Sequence, residues 1–266
     1  MKKDILMPLL DIMRQLRSEE GCPWDREQTH ESLRPFAIEE SYEVAEAVEN
    51  QDLPALVDEL GDLLLQVVFH AVIGEENREF TMQDVVTAVC TKMQRRHPHV
   101  FADVKVDTSA QVLQQWEAIK AIERKNKPKE SALDGVTAHL PALMAANKLQ
   151  SKAAKVGFDW PSIEGVWEKL EEEKAEILEA EQEGDHVALE EEVGDFLFAA
   201  VNLARFLQVE PETALLKANQ KFKQRFIAME QAAKQQQLEL PRLPLPEQEK
   251  LWEAVKKQEK GERPCD

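Results

Sequence analysis

Residues 39–62 run E-E-S-Y-E-V-A-E-A-V-E-N-Q-D-L-P-A-L-V-D-E-L-G-D, and residues 172–195 run E-E-K-A-E-I-L-E-A-E-Q-E-G-D-H-V-A-L-E-E-E-V-G-D. One acidic motif is present twice, 133 residues apart and at one internal spacing. Glu39, Glu40 and Glu43 are followed by Glu59 and Asp62; Glu172, Glu173 and Glu176 are followed by Glu192 and Asp195. Positions 40 and 62 share a midpoint at 51, as do 43 and 59; positions 173 and 195 share one at 184, as do 176 and 192. Those midpoints fall in Asn50-Gln51-Asp52 and Glu183-Gly184-Asp185, polar breaks in otherwise apolar-periodic runs. If each stretch is two antiparallel helices joined at the break, four carboxylates meet in two level pairs, about 12 Å from the turn at 1.5 Å rise per residue.

In a chain with 32% charged residues, one E-E-x-x-E is equally a solvated helix face. The surroundings favour convergence. There is no lysine or arginine from Pro35 to Asn77, and none from Ala175 to Ala204, where a solvated face would intersperse basic residues at i,i+4. Two like charges 4 Å apart cost about 4 kcal/mol at an effective dielectric of 20, so an external cation is expected in both copies. An all-oxygen set without Cys or His suits Mg²⁺ or Mn²⁺ rather than zinc.

The repeat extends beyond the acids. Gly61 matches Gly194, Trp24-Asp25 sits near the register of Phe158-Asp159, and Trp116-Glu117-Ala118-Ile119-Lys120 recurs as Trp252-Glu253-Ala254-Val255-Lys256. Periodicity predicts helices over Ile5–Glu20, Glu31–Glu49, Leu53–Val72, Met82–His97 and Ala110–Lys125, with breaks at Gly21-Cys22-Pro23 and His97-Pro98. Pro141–Lys155, Ser162–Glu183, His186–Leu207, Pro211–Gln236 and Glu247–Lys260 answer them in the second half. No run alternates as a strand does. The expected architecture is all-α: two tandem four-helix units, residues 1–125 and 141–266, joined by a linker at 126–140. A single helical hairpin buries little surface, so pairing of two copies into a homodimer is expected.

A net charge of −18 and a pI near 4.9 disfavour nucleic acid and anionic membrane as partners. No apolar run approaches a bilayer span, and Met1-Lys2-Lys3-Asp4 does not open a signal peptide. Cys22, Cys90 and Cys265 are odd in number and lack metal spacing, so a soluble protein in the reducing cytoplasm is expected. Each half also places cations on the helix after E-x-x-D: Lys92, Arg95 and Arg96, then Lys221, Lys223 and Arg225. Beside a carboxylate-held cation they become phosphate clamps; alone they are surface residues. Trp116 reads as core, and Trp252 equally as core or as a platform for a nucleobase.

E-E-x-x-E followed by E-x-x-D resembles the signature of the all-α nucleoside triphosphate pyrophosphohydrolases, and the whole chain resembles the tandem form of the MazG family. Cys22-Pro23-Trp24-Asp25 with Gln28-Thr29-His30, Leu133-Asp134-Gly135, Lys155-Val156-Gly157-Phe158-Asp159-Trp160 and Lys221-Phe222 with Arg225-Phe226 all resemble MazG segments. The resemblance implies Mg²⁺-dependent hydrolysis of nucleoside triphosphates, across a broad range of NTPs and dNTPs, to the monophosphate and pyrophosphate. Implied metal ligands are Glu173, Glu176, Glu192 and Asp195, with Glu40, Glu43, Glu59 and Asp62 in the first copy. Glu172 and Glu173 with Lys221 and Arg225 are the implied catalytic set, Glu172 holding the attacking water or taking its proton. Lys169, Glu172, Glu173, Glu191, Lys221, Phe222, Arg225 and Trp252 are the implied nucleotide contacts. The C-terminal copy is expected to do most of the hydrolysis, because His97-Pro98 cuts short the basic helix of the first. Two rivals stand beside this reading. A ferritin-like di-iron bundle needs Glu-x-x-His from two helices, and only Glu27-Gln28-Thr29-His30 supplies a usable one. A non-catalytic scaffold binding a partner through its acidic faces predicts no pyrophosphate release.

Overall fold

At the middle of each acidic stretch the backbone reverses through one turn geometry. Gln51 (φ 55°) and Gly184 (φ 70°) occupy the left-handed region. The N–H of Asp52 donates to the Ala47 carbonyl at 3.1 Å and that of Asp185 to the Ala180 carbonyl at 3.2 Å, the six-residue closure that ends a helix. Each aspartate then starts the next helix: Asp52 accepts from Ala55 N (3.1 Å), and Asp185 from Val187 N (3.0 Å) and Ala188 N (3.1 Å), satisfying donors that a helix start leaves open. The two polar breaks are thus turns of identical register.

The computed structural model describes residues 5–102, 104–125 and 131–261. The chain divides into two compact units, Met1–Pro128 and Lys129–Asp266. The first contains α1 (Met7–Leu16), α2 (Pro23–Glu27), α3 (Arg34–Glu49), α4 (Leu53–Glu76), α5 (Met82–Arg96), α6 (Pro98–Phe101) and α7 (Ser109–Lys125); the second contains α8 (Ala142–Ala154), α9 (Ile163–Glu183), α10 (His186–Phe206), α11 (Pro211–Gln235) and α12 (Leu245–Gly261), with one 3₁₀ turn at Leu240–Arg242. Among the described residues there is no strand. The hairpins α3–α4 and α9–α10 form the most extensive helix pairing of their units.

Three departures from the expected elements have local causes. Pro23 and Pro98 start the short helices α2 and α6 rather than merely breaking longer ones, because proline fits the first helical turn, whose N–H groups lack partners anyway. Helix α1 stops at Leu16, where Cys22 N–H reaches back to the Leu16 carbonyl at 2.8 Å. Helix α4 continues past Val72 to Glu76; its Gly74 admits the Phe80 ring, which a Cβ would meet at 2.8 Å.

In the first unit Leu10 and Met13 of α1, Leu33, and Val68, Phe69, Val72 and Ile73 of α4 make a closed apolar core, with Phe36 and Leu65 packed against it. Arg17 fastens α1 to α4 through Glu76 at 2.7 Å. In the second unit Val166, Leu170 and Ala180 of α9 are buried, as are Ala199 and Val201 of α10, Met229 and Ala233 of α11 and Val255 of α12. Outside the first core, α4 leaves Leu53, Val57, Leu60, Leu64 and Val67 exposed, the first two at 70%. Their 4-3-4-3 spacing is a heptad stripe along one helix face.

Of the linker expected at 126–140, residues 126–130 lie outside the described residues, while Asp134 is tied to α8 through its carbonyl and Lys152 Nζ. Cys22 and Cys90 are free thiols; Cys265 and the Met1-Lys2-Lys3-Asp4 segment lie outside the described residues. No described helix is long and apolar enough to cross a membrane.

Candidate metal centre and active site

The turn at Gly184 brings Glu173 of α9 level with Glu192 and Asp195 of α10, with one carboxylate oxygen from each residue lying within 4.8 Å of the others. In the first unit Glu40 and Glu43 of α3 meet Glu59 of α4 within the same limit. Each trio contains one of the two expected level pairs, Glu43 with Glu59 in the first copy and Glu173 with Asp195 in the second. Asp62 and Glu176 stand just outside these trios but act on them. Glu40 is raised above the usual carboxylate range by its own desolvation and then by Asp62 and Glu43; Glu192 is raised by desolvation and then by Glu176, Glu173 and Asp195. Glu59 is raised in the same way by desolvation, then Glu43 and Asp62. Crowded acids push one another toward the neutral form.

Glu173 is 3% exposed. Lys169, one turn earlier, places Nζ 2.7 Å from Glu173 Oε1 and 2.9 Å from Glu172 Oε1, and both carboxylates raise the lysine above its ordinary range. The other oxygen, Glu173 Oε2, is buried without a hydrogen-bond partner, and so is Glu40 Oε2 in the first copy. A buried carboxylate oxygen left unpaired is unfavourable and fits a site completed by a cation. Oxygen-only donors at this spacing suit a hard divalent ion.

The basic residues are placed differently in the two units. Arg95 and Arg96 of α5 both bind Glu123 of α7, at 2.6 and 2.7 Å. Trp116 meets His97 edge-on, centroids 4.9 Å apart. Lys221, Phe222 and Arg225 lie on α11, with Phe222 5.3 Å from Trp252 of α12 and 6.0 Å from Phe226. Glu191 lies on α10 beside Glu192 and contributes to its raised pKa. His30, the histidine of the Glu-x-x-His string, stacks on His70 with centroids 5.0 Å apart and Nδ1 atoms 2.7 Å apart.

Beside the second acid cluster lies a cavity of about 730 Å³, bounded by α8, α9, α10 and the loop Gly157–Trp160. Glu173, Asp195 and Lys169 form part of its wall, together with Gln150, Asn202 and Arg205. Those last three were not singled out by motif. For Asn202 and Arg205 a signal lay in comparing the copies at the 133-residue offset: where the second copy has Asn202 and Arg205, and Lys169 before them, the first has Phe69 and Val72, and Phe36. Phe69 and Val72 are buried in the first unit's core with Phe36 packed against it, so one unit fills with hydrocarbon the positions where the other sets polar side chains in the wall of a cavity.

Two carboxylate-bearing helix hairpins in one all-α chain define a tandem class of helical proteins built around paired acid clusters. A model of the MazG nucleotide pyrophosphohydrolase domain matches residues 28–101 and again 162–227. The chain is 48% identical over 254 residues to the nucleoside triphosphate pyrophosphohydrolase of Escherichia coli (strain K12), covering 94% of this chain and 97% of that one. It is 49% identical over 248 residues to the nucleoside triphosphate pyrophosphohydrolase/pyrophosphatase MazG of Thermotoga maritima, covering 93% and 94%. A solved mazG-related protein from Thermotoga maritima matches 43% of this chain and 98% of its own at 29% identity, with a TM-score of 0.38. The chain belongs to the MazG family.

Proposed function

We propose that the chain hydrolyses nucleoside triphosphates between the α and β phosphates, releasing nucleoside monophosphate and pyrophosphate, with Mg²⁺ as cofactor and the C-terminal unit doing most of the work. The observation that carries this is the convergence of Glu173, Glu192 and Asp195, with a buried, unpartnered Glu173 oxygen, in a chain almost half identical to two pyrophosphohydrolases. Glu173, Glu176, Glu192 and Asp195 would hold the ion, and Glu40, Glu43, Glu59 and Asp62 would do so in the first copy. Bound there, Mg²⁺ supplies charge neutralisation of the polyphosphate and a lowered pKa for a coordinated water; Mn²⁺ can substitute.

The protein's own groups have separate tasks. Glu172, exposed beside buried Glu173, holds the attacking water and accepts its proton. Lys169 positions both carboxylates through its two short contacts. Lys221 and Arg225, four residues apart on one face of α11, bind phosphate oxygens and stabilise charge developing on the leaving pyrophosphate; Phe222, Trp252 and Glu191 complete the nucleotide contacts. The cavity beside the second cluster, against a packed core in the first unit, supports the inequality of the copies. The exposed α4 stripe supports a homodimer, since an apolar heptad face on a water-soluble helix calls for a partner helix; Leu60→Glu with Leu64→Glu should halve the mass measured by light scattering.

The test is direct: incubate with a panel of NTPs and dNTPs and Mg²⁺, and identify products by phosphorus NMR, with and without chelator. Monophosphate and pyrophosphate, lost in EDTA and restored by Mg²⁺ or Mn²⁺, are expected. Diphosphate and orthophosphate, or no phosphorus product at all, would refute the assignment.

A further inference from the structure

We propose that His30 and His70 form an acid-opened latch in the first unit: they hold one proton between their Nδ1 atoms, and full protonation of both rings parts them and frees the segment that leads into α3. The inference concerns a place away from both acid clusters and does not rest on the hydrolase reading.

The geometry assigns the proton. The two Nδ1 atoms lie 2.7 Å apart, while the ring centroids are 5.0 Å apart with planes within 11° of parallel. The centroid separation exceeds the nitrogen separation by about a full ring diameter, so each Nδ1 points straight at the other. At that distance two bare nitrogens repel and two N–H groups collide; one ring donates and the other accepts. His30 Nε2 is buried without a hydrogen-bond partner and lies 3.7 Å from Glu79 Oε2. The carboxylate favours a proton on that nitrogen, which makes His30 Nδ1 the acceptor and His70 Nδ1–H the donor.

Counting protons then gives a switch. The first one added goes to His70 Nε2, the bare nitrogen outside the bond, and leaves Nδ1–H···Nδ1 in place, now charge-assisted. The second has only the accepting Nδ1 left to bind. It breaks the bond and sets two imidazolium N–H groups face to face. Burial, and then His30, hold His70 below its ordinary 6.5, the direction such a pair requires. The unfolded chain therefore takes up more protons below 6.5, so the latch stabilises the fold above that value and is lost as pH falls through the lowered one.

Charges on the surrounding elements are engaged elsewhere. Arg14 and Arg17 of α1 pair with Glu75 and Glu76 of α4, and Arg17 also donates to the carbonyls of Asp25 and Gln28. Arg26 of α2 donates to the Glu19 carbonyl, and Asp84 of α5 binds Thr81. Glu27, Glu31, Arg34 and Arg78 are exposed. Glu79, from the segment after α4, is the carboxylate that meets the pair.

What the latch holds is the turn before α3. Leu33, 1% exposed in the core, donates its N–H to the Thr29 carbonyl at 3.1 Å. Phe80 lies against the His30 ring, centroids 5.7 Å apart. The pair thus ties residues 28–33 to α4, at the root of the helix that brings Glu40 and Glu43 to the first acid cluster. In the second unit, 133 residues on, the two positions are Ile163 and Leu203, which cannot titrate. The latch belongs to the first unit.

The experiment uses the full chain with isotope-labelled histidine and follows the ring nitrogens by NMR from about pH 8 to about pH 4, with exposed His139 and His186 as internal references. The protection factor of the Leu33 amide is measured across the same range in the wild type, His30→Gln and His70→Phe. A coupled two-step titration is expected for His30 and His70, the second step at least about one pH unit below the references. Leu33 protection should fall by up to about tenfold per pH unit below 6.5, and that fall should vanish in both variants. The wild-type titration decides the matter even where a variant fails to fold. Single-step titrations that match His139 and His186 overturn the inference. So does a fall in Leu33 protection that persists unchanged in His30→Gln.

Discussion

Replacing Lys169 by methionine tests the electrostatics of the second cluster most directly. Its Nζ lies 2.7 Å from Glu173 Oε1, and Glu173 is 3% exposed, so in metal-free protein the lysine is the counter-charge of a buried carboxylate. Removing one partner of a fully buried pair costs about 3–5 kcal/mol. Here the lysine side chain is 35% exposed, so water screens part of that loss and about 2 kcal/mol is the expected cost. For a unit of this size that corresponds to a Tm lower by about 8 °C. Methionine keeps the apolar stem, which separates charge from packing, and Phe36 at the same position of the first copy shows that the hairpin folds without a lysine there. Scanning calorimetry in EDTA should show the drop in the C-terminal transition, and Mg²⁺ should narrow it, because the ion provides the positive charge that the lysine had supplied. An equal drop with and without Mg²⁺ would refute the reasoning, as would no drop in EDTA.

Three other outcomes are expected. Gly184→Ala should destabilise the second unit by about 1 kcal/mol through backbone strain, since its Cβ would touch nothing within 4 Å, whereas Gln51→Gly should be neutral or stabilising; denaturant midpoints showing the reverse order would discredit the matched-turn account. Glu123 is drawn down to about 2 chiefly by hydrogen bonding from Arg96, with Arg95 adding to it. A depressed carboxyl stabilises the fold above its unfolded value near 4.5 and loses that contribution as pH falls toward about 2. Glu123→Gln should therefore lower the melting temperature of the first unit at pH 7, with the gap closing across that window, and a gap of constant size would rule out the ion pair as its source. Glu173→Ala should remove at least about 99% of NTP hydrolysis, as loss of a metal ligand does, and Glu40→Ala should leave most of it; a larger loss from Glu40→Ala would reverse the assignment of the copies.

The acids were legible in the sequence because their evidence is arithmetic: mirrored positions about a polar break leave few ways for a helical hairpin to be built. Element boundaries were legible where Asp52 or Asp185 caps a helix, and less so at Pro23 and Pro98, since a proline stops one helix and starts another with the same chemistry. Lys169 and Glu173 were each expected among the nucleotide contacts, yet their ion pair emerged only with coordinates. Gln150 was illegible for a different reason. A lone amide on a helix carries no spacing signature, and only burial reveals that Gln150 is in a wall rather than at the surface. Arg205, too, resembles an ordinary surface cation until Asp159 is seen to fix it.

The contrast between a filled core beneath α4 and a hollow beside α10 bears on how this protein fails when heated. A void deprives its lining of contacts, so the second unit is the one expected to melt first, in a chain whose unfolding is then not a single step. Ligand binding would protect only that lower transition. A heated sample could accordingly lose all turnover while its circular dichroism still reports half of its helices, and ellipticity would be a poor guide to how much working enzyme a preparation holds.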